Sequence, residues 1–158
     1  MHEIIENAKL EMKNVLSYRT KATQQQLAQS SKEIEKFLQK NGAKRNGSSV
    51  TATFAVDTTG AEPMLGIEIL IPIDKNISVP APYTIKPVFR LKNAVKIRHY
   101  GNPALLQNTA NELMSYIKDK GLMPITAGYN VTVQEPSSPT DIDSLIVDIY
   151  VGVCDNIL

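Results

Sequence analysis

Residues 8–42 read AKLEMKNVLSYRTKATQQQLAQSSKEIEKFLQKNG, and residues 87–121 read PVFRLKNAVKIRHYGNPALLQNTANELMSYIKDKG. The two runs align without a gap at an offset of 79. Lys13-Asn14 returns as Lys92-Asn93, Arg19 as Arg98, Leu27 as Leu106, Glu33 as Glu112 and Gly42 as Gly121. A second match follows at an offset of 80, where residues 65–73 (LGIEILIPI) parallel residues 145–153 (LIVDIYVGV). A duplicated unit of this length implies two copies of one module, each completing the other's core. The expected fold is α+β: two strand-helix-strand-strand modules related by a pseudo-twofold axis. They would form an antiparallel sheet with the helices on one side.

Working outward from the repeat, each module takes the same course. Residues 8–20 alternate loosely and read as extended, with a possible turn at Lys13-Asn14. Residues 23–41 switch to helical spacing through Leu27, Ser31, Ile34 and Leu38. Thr23 is placed to cap this helix, and Gly42 to follow its end with positive φ. Residues 50–56 and 64–73 read as a hairpin of strands. The second copy runs as an extended segment 88–100, a helix 103–120, a strand 127–134 and a last strand 145–153. One domain over 1–158 is expected, with a first repeat at about 8–73, a linker at 74–86 and a second repeat at about 87–153. The stretch Glu3–Lys13 also fits an amphipathic helix through Ile4, Ile5, Ala8 and Met12, as a packing or dimer element.

Composition narrows the function. The chain has 158 residues and a formal net charge of +1, from 17 basic and 16 acidic side chains. Such a balance supplies no basic field for a phosphate backbone, so direct nucleic-acid binding is not expected. The N-terminus lacks the apolar core of a signal peptide, and no apolar run reaches the ~20 residues of a membrane span. A single cysteine, Cys154, suits a reducing cytoplasm, and the expected location is cytoplasmic. Two histidines and one cysteine without clustered spacing give no metal site, and no glycine-rich phosphate loop is present. No cofactor is expected.

The segment Ala94-Val95-Lys96-Ile97-Arg98-His99-Tyr100-Gly101-Asn102-Pro103 resembles a signature of the GyrI-like family, the effector-binding domain of many bacterial transcription regulators. In that family a strand ending Arg-His-x-Gly leads straight into the helix, and the closing strand is of acid, aliphatic, aromatic, aliphatic, Pro type. Here the closing strand is Asp148-Ile149-Tyr150-Val151-Gly152, and the first half has Glu68-Ile69-Leu70-Ile71-Pro72. Two positions depart from the pattern: Asp148 stands where the family usually places Glu, and Gly152 where it usually places Pro. The resemblance implies a cleft at the junction of the repeats, where a cationic or amphipathic small molecule meets aromatic rings and a buried carboxylate. It also implies a stand-alone member without the DNA-binding domain of the regulators.

Candidate ligand-binding residues follow. Strand alternation puts Asp148 on the face of Tyr150, and Glu68 on the face of Leu70 and Pro72. An acid in an apolar strand is costly to bury unless paired, so it either pairs with a neighbouring Lys or Arg or holds a cation. Tyr150, Tyr129, Tyr100 and Phe54 are candidate ring walls, against ordinary core packing. Arg19 and Arg98 read as salt-bridge partners of Glu33 and Glu112 or of the strand acids. His99 reads as a surface or edge residue and Cys154 as an inert thiol. The expected function is small-molecule binding rather than catalysis. The alternatives are a hydrolase of reactive small molecules using the pocket acid, and a protein-interaction module of gyrase-inhibitor type. A protein partner or a homodimer is compatible with each.

Overall fold

The computed structural model describes residues 2–155. Its elements are β1 (Ile4–Ala22), α1 (Gln24–Lys40), β2 (Val50–Asp57), β3 (Met64–Pro72), β4 (Tyr83–Tyr100), α2 (Leu106–Asp119), β5 (Leu122–Gln134) and β6 (Ile146–Asp155). A turn of 3-10 helix at Pro103–Leu105 leads into α2. The order strand-helix-strand-strand occurs twice, so the α+β architecture and its repeat agree with the sequence.

The described residues divide into two compact units, one of residues 12–89 and one of residues 2–11 with 90–155. In the first, β3 is the central strand, antiparallel to both β1 and β2. Leu16, Ile67, Ile69 and Ile71 point to one face, where Ile34 and Leu38 of α1 cover them. In the second, β6 is central and antiparallel to β4 and β5. Val95, Ile97, Val147, Ile149 and Val151 meet Leu113 and Ile117 of α2 in the same way. The period of two along the strands against 3.6 along the helix brings these residues together.

Helix boundaries follow from local chemistry. Thr23 accepts from the Gln26 N–H while the Gln26 side chain accepts from the Thr23 N–H, a reciprocal capping box. At the other end the Ala43 N–H reaches the Leu38 carbonyl and the Gly42 N–H the Gln39 carbonyl. This doubly bonded ending places Gly42 at φ +70°, and its repeat mate Gly121 has the same φ of +70° after α2.

Three expectations are corrected. The stretch Glu3–Lys13 is not a helix: from Ile4 onward it belongs to β1, where burial alternates residue by residue from Ala8 to Asn14 and Ile4 packs against the α2 core. Lys13-Asn14 is not a turn: β1 runs through it, with Asn14 in the left-handed region at φ +54° and its side chain donating to the Ile73 and Lys75 carbonyls. β4 begins at Tyr83 rather than Val88, because Tyr83 stacks on Phe37 at 4.8 Å and Ile85 packs on the α1 core.

At Gly152 a side chain would clash with β5. The Gly152 N–H donates to Thr126 Oγ1 at 2.8 Å, and a Cβ there would lie 2.8 Å from Thr126 Cγ2. Gly152→Ala should therefore destabilise the protein by about 1–3 kcal/mol through overpacking. Thr126→Ser, which removes the clashing methyl and keeps the hydroxyl, should recover part of the loss in a double-mutant cycle by urea unfolding.

Candidate functional site

In both units the strand face turned away from the helix carries a buried acid. Asp148 and Glu68 are 4% and 1% exposed. Register sets their first partner. Arg98 lies opposite Asp148, and Arg19 opposite Glu68. The repeat thus duplicates a cross-strand arginine–carboxylate pair, and the arginines bond to the strand acids rather than to Glu112 or Glu33. Glu112 instead pairs with His2 at 2.7 Å.

The Arg98 guanidinium grips Asp148 with a fork, Nε to Oδ1 at 2.7 Å and Nη2 to Oδ2 at 3.0 Å. Lys96 Nζ lies 3.4 Å from Oδ2 and 5.7 Å from the Tyr150 ring centroid. Burial pushes the Asp148 carboxyl up, but the Arg98 hydrogen bonds and the charges of Lys96 and Arg98 outweigh it and hold the group below the usual range. Asp148 is therefore a carboxylate at neutral pH. Arg98 is correspondingly held above its ordinary range, first by its hydrogen bonds to Asp148.

Glu68 is held by more donors. Its Oε2 accepts from Ser17 Oγ at 2.5 Å and Lys86 Nζ at 2.8 Å, and Arg19 Nε stands at 3.4 Å. Burial raises this carboxyl too; the bonds from Lys86 and Ser17, with the Lys86 charge, overcome it and lower it. Lys86 Nζ also sits 5.9 Å from the Phe89 ring centroid. Arg19 lies over the half-exposed Phe54 ring, 4.5 Å from its centroid.

The remaining expected residues fall as follows. Tyr150 is buried on the Asp148 face, and Tyr129 is its register partner on β5. Tyr100 ends β4 two positions beyond Arg98 and is 61% exposed. Asp148, Tyr150, Tyr129 and Tyr100 thus share one unit, and Glu68 and Phe54 the other.

Two features went unforeseen. His99 is buried, not at the surface: its Nδ1 meets Thr109 Oγ1 of α2 at 2.7 Å and its Nε2 meets the Asn102 carbonyl at 3.0 Å. Because a carbonyl only accepts, Nε2 carries a proton, and the ring staples β4 to α2. Its parity with Val95 and Ile97 was the available signal. The other is Lys86, which falls in the expected linker yet reaches Glu68.

Two cavities lie away from these acids. One of about 450 Å³ is lined by Thr23, Gln24, Gln25, Glu62, Pro63 and Leu65. Another of about 510 Å³ includes Met114, Ile117, Lys118, Leu122 and Pro124. Among the described residues no helix is long and apolar enough to cross a membrane. Among them also, no cluster of three or more His, Cys, Asp or Glu is placed to hold a metal ion.

No protein-family profile matches the chain, and no curated protein matches it in sequence. Solved structures do share its fold. The C-terminal domain of EcmrR matches over 99% of this chain and 99% of its own, at 14% identity and a TM-score of 0.74. EcmrR in a DNA complex matches 98% of this chain at 16% identity and a TM-score of 0.79, and this chain spans 58% of that one. A hydrolase from Listeria innocua matches 97% of this chain and 91% of its own, at 14% identity and a TM-score of 0.60. At these identities the likeness is one of fold. It overturns one expectation, that of binding rather than catalysis, because a hydrolase shares the fold.

Proposed function

We propose that the chain binds a small amphipathic molecule with a cationic centre through the Asp148 carboxylate and the Tyr150 ring, with Tyr129 and Tyr100 beside them, and that Glu68 and Phe54 form the equivalent candidate set within the other unit. The observation that carries this reading is the duplicated setting of an ionised, buried strand carboxylate beside a cation and an aromatic face. A desolvated carboxylate attracts a cation far more strongly than one in water, and a ring face adds to the attraction. The fold shared with the EcmrR C-terminal domain and the resemblance to GyrI-like effector-binding domains support it.

Calorimetric titration with rhodamine-type dyes, quaternary ammonium compounds and neutral analogues of equal size is the test. Micromolar binding of the cations, with neutral analogues at least tenfold weaker, is the expected result. Asp148→Asn should weaken the cations by about tenfold or more, the effect of losing roughly 1.4 kcal/mol. Equal affinity for charged and neutral forms would contradict the reading.

A second reading has the same site act on what it binds, and the likeness to the Listeria innocua hydrolase favours it. Asp148, ionised and clamped by Arg98, is suited to stabilise positive charge or to take a proton weakly, not to donate one. Turnover of a strained-ring electrophile that disappears in Asp148→Asn would establish it; an inert wild type would remove it.

A further inference from the structure

The two acids occupy matching places in the duplication but are held differently. On Glu68, Ser17, Lys86 and Arg19 converge on one oxygen, the first two at hydrogen-bond distances of 2.5 and 2.8 Å. On Asp148, Arg98 alone makes short bonds, using both oxygens. Lys96 stands at 3.4 Å, beyond the ~2.7–2.9 Å of a charge-assisted hydrogen bond. A long contact to the carboxylate and the Tyr150 face hold its ammonium, more loosely than the Arg98 fork is held. Lys96 has no counterpart in the first half, where the aligned residue is Ser17.

We propose that Lys96 is a built-in competitor for the ligand's positive charge: its ammonium occupies the place beside Asp148 and Tyr150 that the ligand's cationic centre takes, and it swings into water when the ligand enters. This inference rests on the reading that the chain binds a cation at Asp148. The lysine stem is flexible and its ammonium hydrates readily, whereas the Arg98 fork is rigid and doubly bonded, so Lys96 is the group that yields. Exchange is balanced in charge for a singly charged ligand, since one positive charge leaves the carboxylate as one arrives.

The test compares rhodamine 6G binding by fluorescence anisotropy and calorimetry in the wild type, Lys96→Met and Lys96→Arg, with thermal unfolding to confirm folding. Methionine keeps the length and removes the charge. Removing a resident competitor raises the competent fraction, so Lys96→Met should tighten binding by about three- to tenfold. Lys96→Arg, which keeps the charge, should stay within about twofold of wild type. If the wild type binds and folded Lys96→Met binds no tighter, the competitor role is overturned while cation binding stands. Binding by Lys96→Met alone supports it. If neither wild type nor Lys96→Met binds, the reading of cation binding fails and this inference with it.

Discussion

Leu113→Ala should lower the unfolding free energy by about 2–5 kcal/mol, read as a reduced urea midpoint at unchanged slope. Leu113 is fully buried on α2, among Val95, Ile97, Val147 and Ile149. Truncation removes its transfer free energy and leaves a void lined by β-branched side chains, which cannot turn inward to fill it. The repeat supplies an internal control, because Ile34 holds the aligned place on α1 at 1% exposure. Ile34→Ala should cost a similar amount. Met114→Ala, at the neighbouring position and 43% exposed, should stay within about 0.5 kcal/mol. Equal losses at Leu113 and Met114 would mean that the α2 face is assigned wrongly.

Glu68→Gln should destabilise the protein at neutral pH by about 1–3 kcal/mol. The amide keeps the shape but loses the charge that balances Lys86 and Arg19. Their partial exposure, 35% and 67% of each side chain, lets water take back some of the loss, which keeps the figure below that of a fully buried pair. The pH dependence has a definite sign. Glu68 and Asp148 are both lowered from ordinary values of 4.5 and 3.8. A carboxyl lowered in the folded state contributes stability that is complete above its unfolded pKa and is lost as pH falls through its folded one. Stability from these two groups should therefore hold from neutrality to about pH 5 and decline below about pH 4. In Glu68→Gln the acid limb should be shallower, in urea midpoints measured from pH 7 to pH 3. An unchanged limb would show that Glu68 is not the ionised partner of Lys86 and Arg19.

The periodic elements were legible because their signals are local. Thr23, Gln26 and Gly42 announce the ends of α1, and Gly121 repeats the ending of α2. The order of elements was legible because the duplication reads it twice. The failures have a common cause, which is that partners distant in the chain decide them. Ile4, Ile5, Ala8 and Met12 fit a helix by spacing, yet strand pairing makes them part of β1. The arginines had two sets of acids within plausible reach, and only the register of Arg98 with Asp148 and Arg19 with Glu68 chooses between them. His99 looked peripheral until its bond to Thr109 tied it to α2. Of the candidate site, the acids and Tyr150 were visible as polar or aromatic residues in apolar strands. Lys86 and Lys96, which set the electrostatics, were not, because a lysine on a strand reads the same whether its ammonium faces water or a carboxylate.

Cation binding at Asp148 is tested most directly by a crystal structure of the chain with the tightest-binding singly charged dye. The cationic centre should lie within about 4–6 Å of the Asp148 carboxylate and over the Tyr150 ring, the reach of an ion pair and of a cation on an aromatic face, with the Arg98 fork intact. A dye seated instead in the 510 Å³ cavity beside Met114 and Leu122, with Asp148 untouched, would contradict it.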